Sequence, residues 1–261
     1  MQVSLIITTY NQPKTLIRVL RSVEAQSRLP DEIIIADDGS RDDTKKFIED
    51  FKKQSNLKII HSWQEDQGFR VAKSRNKAIA KSCFDYIILI DGDGILHKKF
   101  IEDHLNHAEE GFFIQGSRAF LNKAASKRFI ESNNVKLSFL SKGLSNRENS
   151  FHCNFLSILF FKKNKSINGI KTCNLSLYKS DIINVNGFNN DFEGWGREDT
   201  DFVVRLFNNG VRRKNIHFNM IQFHLWHKIS PRDSLKQNDL ILKNTIDKRL
   251  IKCESGISKY L

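Results

Sequence analysis

The first half of the chain alternates between short apolar runs and stretches with helical spacing, and this alternation constrains the fold more than any other feature. The apolar runs are expected to be strands at residues 3–7, 32–36, 57–60, 86–90 and 112–116. Helices are expected between them at residues 14–26, 42–54, 71–81 and 98–108. Such alternation is typical of a parallel sheet with helices on both faces. The sequence therefore predicts an α/β fold with a doubly wound, mostly parallel, Rossmann-like sheet.

Three of the expected strands end in polar clusters, at residues 8–11, 37–40 and 91–93. In the first cluster Asn11 is expected to cap the following helix and Pro13 to occupy its first turn. Parallel sheets bind ligands at the carboxyl ends of their strands, so three polar ends on one edge indicate a binding site.

The third cluster contains Asp91 and Asp93, which are separated by one glycine at the end of an apolar strand. Ionised carboxylates resist burial, and alternate residues of an extended segment point to the same side. The two side chains can therefore converge on one ligand, and Mg²⁺ or Mn²⁺ holding a diphosphate would suit them. Asp199 and Asp201 have the same spacing, so the spacing alone does not identify the pair.

A second candidate region begins at Trp195, which lies between two glycines and just before Glu198 and Asp199. Carboxylates in a first helical turn are stabilised by the helix dipole, and this explains both acids without any function. Packing explains a large ring on a glycine-rich loop poorly, so Trp195 is a candidate for stacking on a sugar. His224 and His227 follow another strand-like segment and are candidates for a third metal ligand.

The formal charge of +12 is concentrated in two stretches. Residues 121–172 contain ten Lys or Arg against two acidic residues, and residues 228–261 contain eight against four. Within the first stretch, the Phe- and Leu-rich residues 151–161 could form an interfacial helix on anionic lipid or a core helix with a basic rim, and the core helix is favoured. No run approaches the roughly 20 apolar residues of a membrane-spanning helix. No signal peptide is recognised, and the scattered cysteines favour a reducing, cytoplasmic setting.

Taken together, five motifs occur in the order seen in glycosyltransferase family 2. They are Thr8-Thr9-Tyr10-Asn11, Asp37-Asp38-Gly39-Ser40, Gly68 with Arg75-Asn76, Asp91-Gly92-Asp93 and Trp195-Gly196-Arg197-Glu198-Asp199. The chain resembles an inverting transferase with the GT-A fold, and the second half is similar to the galactosyltransferase-type module of chondroitin-synthase-like bacterial enzymes. The resemblance covers about residues 3–108 and 172–228.

This resemblance implies four parts within one continuous domain. They are a nucleotide-sugar-binding part (1–118), a variable basic and apolar insertion (119–171), an acceptor-binding and catalytic part (172–228) and a basic C-terminal tail (229–261).

The resemblance also implies a role for each matching residue. The residues that would bind the nucleotide are Thr8, Tyr10, Asp37, Asp38, Arg75 and Asp91. Asp93 and His227 would hold Mn²⁺ or Mg²⁺, with Asp91 as a further ligand. His224 is the alternative to His227 as the metal-binding histidine. Asp199 would be the general base, Glu198 would hold an acceptor or donor hydroxyl, and Trp195 and Gly196 would bind the acceptor. Arg197 departs from the pattern, because the related module more often has a glycine there.

The implied reaction transfers a hexose or N-acetylhexosamine, best guessed as galactose-type, from a UDP-sugar to a hydroxyl of a bacterial surface glycan or its lipid-linked precursor. The expected setting is cytoplasmic, and contact with the inner face of the cell membrane is expected only if residues 151–161 form the interfacial helix rather than the core helix. A nucleotidyltransferase acting on a sugar phosphate is an alternative, but residues 4–14 lack the phosphate loop expected of one. A basic nucleic-acid-binding module is another, although no such motif is recognised and the basic residues are expected to avoid the ligand edge.

Overall fold

A computed structural model describes residues 1–132, 134, 136–228 and 231–261. Its strands are β1 (Val3–Thr9), β2 (Glu32–Asp37), β3 (Ile59–Trp63), β4 (Tyr86–Asp91), β5 (Gly94–Leu96), β6 (Phe112–Gln115), β7 (Arg118–Leu121), β8 (Leu144–Ser145), β9 (Lys162–Asn164), β10 (Asn174–Tyr178), β11 (Arg212–Asn215) and β12 (Gln222–His224). Its α-helices are α1 (Pro13–Glu24), α2 (Asp42–Gln54), α3 (Val71–Ala80), α4 (Phe100–His107), α5 (Lys123–Glu131), α6 (Asn154–Phe160), α7 (Lys179–Asn184), α8 (Glu198–Asn208) and α9 (Leu235–Asp247).

The main sheet has eight strands in the order β3-β2-β1-β4-β10-β6-β11-β9. Strands β1 to β4 are parallel to one another, and they carry apolar side chains on both faces because helices cover both faces. The predicted α/β architecture with a mostly parallel sheet is therefore confirmed. A smaller sheet in the order β5-β12-β7-β8 lies beside it.

The register of the parallel strands brings the polar clusters to one edge. Thr8 of β1 pairs with Asp91 of β4, and Thr9 pairs with Asp37 of β2. On the other side of β4, the antiparallel strand β10 comes from the second half of the chain, and its Asn174 pairs with Ile90. The two halves therefore share one sheet, and residues just before β10 lie next to the polar edge. The boundaries of the four parts stay a prediction.

Two local expectations were wrong. Pro13 lies in the first turn of α1 as expected, but the N-cap residue of the helix is Gln12, and Asn11 has a left-handed φ of 50°. The Asn11 side chain instead accepts a hydrogen bond from the Arg41 N–H at 2.9 Å. The third strand runs from Ile59 to Trp63 and so begins two residues after the expected start.

The expectation that residues 151–161 form a core helix was also wrong. Helix α6 is only seven residues long, and its large apolar side chains are exposed, with Phe155 at 69%, Ile158 at 63% and Leu159 at 59%. The only buried residue of this helix is Ser157. The apolar face therefore points to solvent, because the side that meets the protein carries the serine. None of the described helices has the length and apolar character needed to cross a membrane.

Candidate active site

The Asp91-Gly92-Asp93 motif is held against the end of β1. The Thr8 hydroxyl donates to Asp91 Oδ1 at 2.8 Å, and the Gly92 N–H donates to the Thr8 carbonyl at 2.7 Å. A Cβ at position 92 would lie 2.5 Å from that carbonyl oxygen, so only glycine fits between the two aspartates. The close approach of these backbones fixes the direction of both carboxylates.

Arg75 on α3 connects this motif with the start of α8. Its guanidinium lies 3.2 Å from Asp91 Oδ1, 2.9 Å from Asp199 Oδ1 and 3.7 Å from Glu198 Oε1. The side chain is only 5% exposed. Burial alone would lower the pKa of Arg75, but the three carboxylates raise it above its usual value. We refer to these four residues as the Arg75 cluster.

The two carboxylates of α8 in this cluster have different surroundings. Asp199 accepts hydrogen bonds on both oxygens from Thr172, through the hydroxyl and through the N–H, the latter at 3.0 Å. Glu198 is nearly buried, and burial followed by the charge of Asp199 raises its pKa to about 8. Asp199 is therefore fixed in direction by its donors, whereas the raised pKa of Glu198 favours its protonated form near neutral pH.

Asp93, His224 and His227 form a second group beside the cluster, and we call it the Asp93 triad. The Nε2 atoms of His224 and His227 lie 3.4 and 3.2 Å from Asp93 Oδ2. The His227 Nδ1–H donates to the Lys228 carbonyl at 2.9 Å, which leaves Nε2 free to ligate a metal. Asp93 Oδ1 is buried without a hydrogen-bond partner among the described residues.

The triad can hold a divalent metal, since its ligand atoms lie within 4.8 Å of one another. A carboxylate with two imidazoles suits Mn²⁺ better than Mg²⁺, whose preferred ligands are all oxygens. Both candidate histidines lie next to Asp93, so both are candidate ligands rather than alternatives to each other. Asp91, expected beside the metal, is outside the triad and contacts Thr8 and Arg75 instead.

Asp37 and Asp38 lie at the end of β2 and are both buried. Asp37 accepts from the Ser40 N–H and pairs with His61, each at 2.8 Å. Asp38 accepts from the Gln64 side chain at 2.6 Å and from the Arg70 N–H at 2.7 Å. Burial raises the pKa of Asp38 to about 6. Both carboxylates therefore hold the loops that border the edge.

Tyr10 extends from the end of β1 toward the same border. Its ring is 44% exposed, and its hydroxyl donates to Asp66 at 2.9 Å. This places an open aromatic face at the mouth of the polar edge, where a base could stack.

The Trp195 loop is held by the C-terminal tail. The buried Asn238 on α9 donates to the carbonyls of Glu193 and Gly196 at 3.0 and 2.9 Å. The Arg232 guanidinium lies 4.8 Å from the Trp195 ring centroid, and the ring is 38% exposed. The tail, noted in the sequence only for its charge, therefore positions the loop.

Arg197, the departure from the family pattern, has a left-handed φ of 78°. This conformation is strained for a residue with a Cβ and is natural for glycine. The side chain pairs with Asp239 of α9 at 2.6 Å. The backbone thus keeps the shape that a glycine would favour, and the arginine adds a contact with the tail.

The second Asp-x-Asp pattern does not converge on one site. Asp201 is fully buried, where it pairs with Arg205 at 2.9 Å and accepts from the Thr245 hydroxyl at 2.6 Å. Asp199 points to the Arg75 cluster instead. The two aspartates lie on a helix rather than a strand, so residues two apart face different directions.

Sequence reasoning missed several residues of the site. Thr172 and Asn238 are common polar residues in segments without a motif, and only contacts across the fold reveal them. Arg118 and Lys171 lie beside the site, so the expectation that basic residues avoid this edge was wrong. Arg118 opposes the rise that burial and Asp91 cause in the pKa of Asp93. The concentration of charge in residues 121–172 was the available signal for Lys171.

The larger of the two most prominent cavities, of about 570 Å³, lies elsewhere. It runs along β3 and α2, and its described lining includes His61, Trp63 and Glu49 but no member of the Arg75 cluster or the Asp93 triad.

Family models separate the possible classes of enzyme. The model for glycosyl transferase family 2 matches residues 4–167, and the model described as the N-terminal domain of galactosyltransferase matches residues 154–228. The chain belongs to glycosyltransferase family 2. It is therefore a glycosyltransferase, and the resemblance drawn from the five motifs is confirmed. The nucleotidyltransferase and nucleic-acid-binding alternatives are set aside by this membership.

Relatives of this family 2 chain include two polysaccharide synthases and a glucosyltransferase. It is 24% identical over 237 residues to chondroitin synthase of Escherichia coli, covering 82% of this chain and 33% of the synthase. It is 24% identical over 233 residues to hyaluronan synthase of Pasteurella multocida, covering 82% and 23%. Validoxylamine A glucosyltransferase of Streptomyces hygroscopicus subsp. limoneus is 25% identical over 220 residues, covering 80% of this chain and 48% of the glucosyltransferase. The chain thus spans a third or less of either synthase.

Solved structures agree on the fold. The structure of S. aureus TarS 1-349 in complex with UDP matches this family 2 chain with a TM-score of 0.63 and 17% identity. The match covers 100% of this chain and 68% of the TarS chain. The complex of the same protein with UDP-GlcNAc matches over 88% of this chain and 60% of the TarS chain, with a TM-score of 0.59 and 18% identity. The predicted GT-A fold is confirmed.

Proposed function

We propose that this chain is an inverting, metal-dependent glycosyltransferase. It moves a hexose or N-acetylhexosamine, of the galactose type, from a UDP-sugar to a hydroxyl of a bacterial surface glycan or its lipid-linked precursor. The observation that carries the proposal is the Arg75 cluster, in which one buried cation joins Asp91 at the sheet edge to Asp199 at the start of α8. The UDP and UDP-GlcNAc complexes of TarS and the similarity to chondroitin synthase support the donor and the product class.

On the donor side, the nucleotide lies over the ends of β1, β2 and β4. Tyr10 supplies an open ring for the base, while Asp38 shapes the neighbouring loop through Arg70. Asp91 is held by Thr8 and faces the ribose. When bound to the Asp93 triad, Mn²⁺ or Mg²⁺ would supply positive charge that offsets the charge on the departing diphosphate.

On the acceptor side, Asp199 takes the proton of the attacking hydroxyl. Arg75 and Thr172 hold its carboxylate in one direction, so the proton acceptor is already placed when the acceptor binds. The oxygen attacks the anomeric carbon from the side opposite the diphosphate, which inverts the configuration. Protonated Glu198 donates a hydrogen bond to a sugar hydroxyl, and Trp195, beside Gly196, stacks on the acceptor ring. A base placed in this way contributes about 10²–10⁴-fold.

A screen of nucleotide-sugars tests this function. The purified protein is incubated with UDP-, GDP- and CDP-sugars, with and without Mn²⁺, and both the melting temperature and nucleotide release are measured. We expect one UDP-sugar to raise the melting temperature and to be hydrolysed slowly, in each case only with Mn²⁺. Equal responses to the three nucleotide classes, or none to any UDP-sugar, would contradict the proposal.

The exposed face of α6 favours contact with an anionic membrane. Phe155, Ile158 and Leu159 form an apolar face, and the exposed Lys162 lies two residues after the end of the helix. Apolar side chains enter the lipid boundary while lysines meet anionic headgroups. Such contact would place the enzyme at the inner face of the cell membrane, where a lipid-linked acceptor is presented.

Sedimentation with liposomes tests this contact. We expect wild-type protein to sediment with phosphatidylglycerol vesicles at low salt, and a Phe155→Ser, Leu159→Ser variant to stay in solution. Vesicles of phosphatidylcholine serve as the control for charge. Wild-type protein that stays in solution with anionic vesicles would exclude this surface as a membrane contact.

A further inference from the structure

A separate cleft of about 200 Å³ reaches Lys171, the residue before Thr172. Residues that line it include Gln115, Arg118, Phe120, Asn149, Lys171 and His217. Gln115 ends β6, which lies beyond β10 from the nucleotide edge in the sheet order. The cleft is therefore on the side of β4 opposite the strands β1 to β3.

Two cations in the cleft flank a single aromatic ring. The Arg118 guanidinium lies 4.7 Å and the Lys171 ammonium 5.9 Å from the centroid of Phe120. Neither forms an ion pair with a carboxylate within the part of the chain that the structure describes. Arg118 donates to the thiol of Cys173 at 3.0 Å, and burial raises the pKa of that thiol to about 12, so the thiol is neutral.

The cleft brings two cations together, and the acidic charges that reach them, Asp93 for Arg118 and Asp199 for Lys171, lie outside it in the adjoining site. Among its described lining residues none is an aspartate or a glutamate. Burial, and after it the charge of Arg118, lowers the pKa of Lys171, so an anion bound beside both cations would stabilise the charged form of the lysine. Burial also lowers the pKa of His217, so this ring is neutral near pH 7.

The cleft adjoins both chemical groups of the site. Lys171 directly precedes Thr172, whose N–H and hydroxyl hold Asp199. On the other side, the Phe120 ring lies 5.4 Å from the ring of His224 in the Asp93 triad. A molecule in the cleft would thus reach the position where an acceptor hydroxyl must approach Asp199.

We propose that this cleft binds an anionic group of the acceptor saccharide, through Arg118 and Lys171. The inference rests on the proposed function and specifies the acceptor as an acidic glycan. The shared chemistry is a negative charge, supplied either by the carboxylate of an acidic sugar or by a phosphate ester. The amide groups of Gln115 and Asn149 each donate one hydrogen bond, to the carbonyls of Gly169 and Arg118, and each has a second N–H for the sugar hydroxyls around that charge.

Three probes that differ only at C6 test the proposal. They are methyl β-D-glucoside, methyl β-D-glucuronoside and methyl β-D-glucoside 6-phosphate, titrated into the protein with Mn²⁺ and UDP by calorimetry or NMR. We expect an anionic probe to bind at least about tenfold tighter than the neutral glucoside, because a charge-assisted hydrogen bond adds that much. The tighter of the two anionic probes identifies the source of the charge.

Substitution of Lys171 provides the second arm. Lys171→Met is expected to remove most of the preference while leaving UDP binding unchanged, and Lys165→Met, an exposed lysine outside the cleft, is the matched control. Equal binding of the three probes, or a preference that survives Lys171→Met, would overturn the proposal. Weaker UDP binding in Lys171→Met would also overturn it, since the lysine would then serve the donor.

The two proposals can fail separately. If wild-type protein binds no UDP, the proposed function fails, and the three probes are titrated without nucleotide. A preference for an anionic probe that Lys171→Met abolishes would then still support the cleft. Normal UDP binding with no discrimination among the probes would instead reject the cleft alone.

Discussion

Arg75 donates a hydrogen bond of 2.9 Å to Asp199, which lies 124 residues further along the chain. The same guanidinium donates to Asp91 at 3.2 Å. Without it, three carboxylates would repel one another in a mostly buried space. One arginine therefore makes it possible for the two halves of the site to lie together.

Asp199→Asn is expected to reduce sugar transfer by about 10²–10⁴-fold, because the amide cannot accept the hydroxyl proton. Mn²⁺-dependent UDP binding, measured by calorimetry, should change little. Glu198→Gln is the matched control and should keep much more activity, since a protonated acid and an amide both donate hydrogen bonds. If Glu198→Gln is the more damaging change, the base is Glu198.

Asp93→Asn is expected to abolish the Mn²⁺ dependence of UDP binding, since it removes the charge shared by His224 and His227. His224→Ala and His227→Ala should each weaken Mn²⁺ binding by about 10–100-fold or more, comparable to the loss of a group that supports a metal ligand. His61→Ala, outside the triad, serves as control. Unchanged metal affinity in both histidine variants would rule out this site.

Arg75→Met is expected to lower the free energy of unfolding by about 3–5 kcal/mol, because Asp91 and Asp199 lose the cation that compensates them. Denaturant unfolding followed by circular dichroism measures the change. Arg21→Met, which removes an exposed pair with Glu24, should cost about 1 kcal/mol or less. A similar small cost for both variants would show that Arg75 does not stabilise the cluster.

Arg197→Gly is expected to be more stable than Arg197→Ala by about 1 kcal/mol. Both variants lose the pair with Asp239, but only glycine adopts a φ of 78° without strain. In a chain of this size the difference corresponds to a melting temperature about 2–4 °C higher. An alanine variant that melts at the same or a higher temperature would mean that the loop relaxes away from this conformation.

Asp38→Asn is expected to change how stability depends on pH. The pKa of Asp38 rises from 3.8 to about 6 on folding, so the unfolded chain holds fewer protons between these values. The contribution of Asp38 to stability is therefore greatest below pH 4 and falls by about 2–3 kcal/mol as the pH rises to 7. Unfolding at several pH values should show wild type losing stability relative to Asp38→Asn; parallel curves would contradict this.

The strands that carry the polar edge could be read from the sequence. A parallel strand buried on both faces is mostly apolar, and residues 3–7, 32–36 and 86–90 satisfy this apart from Ser4 and Glu32, which form a hydrogen bond with each other. Their polar ends follow directly, so convergence on one edge needs only the parallel register. The presence of both Asp91 and Asp93 at that edge was accessible in the same way.

The helix at residues 154–160 shows where such reasoning ends. Its apolar run fits either a core helix or an interfacial helix, and the sequence offers no information on whether a second protein surface lies opposite it. In the structure, the face of the helix that contacts the rest of the protein carries Ser157, and the apolar face is exposed to solvent. Burial is decided by the neighbouring elements, and these come from distant parts of the chain.

The sequence by itself determined the parallel α/β architecture, the polar edge and the family, because each rests on residues within a few positions of one another. Only the tertiary structure decided which groups act together: Arg75 with Asp199, Thr172 with Asp199, both histidines with Asp93, and Asn238 with the Trp195 loop. These contacts depend on β10 lying antiparallel beside β4 and on α9 packing against α8. A local pattern carries no information about such pairings, since the chain can bring distant segments together in many ways.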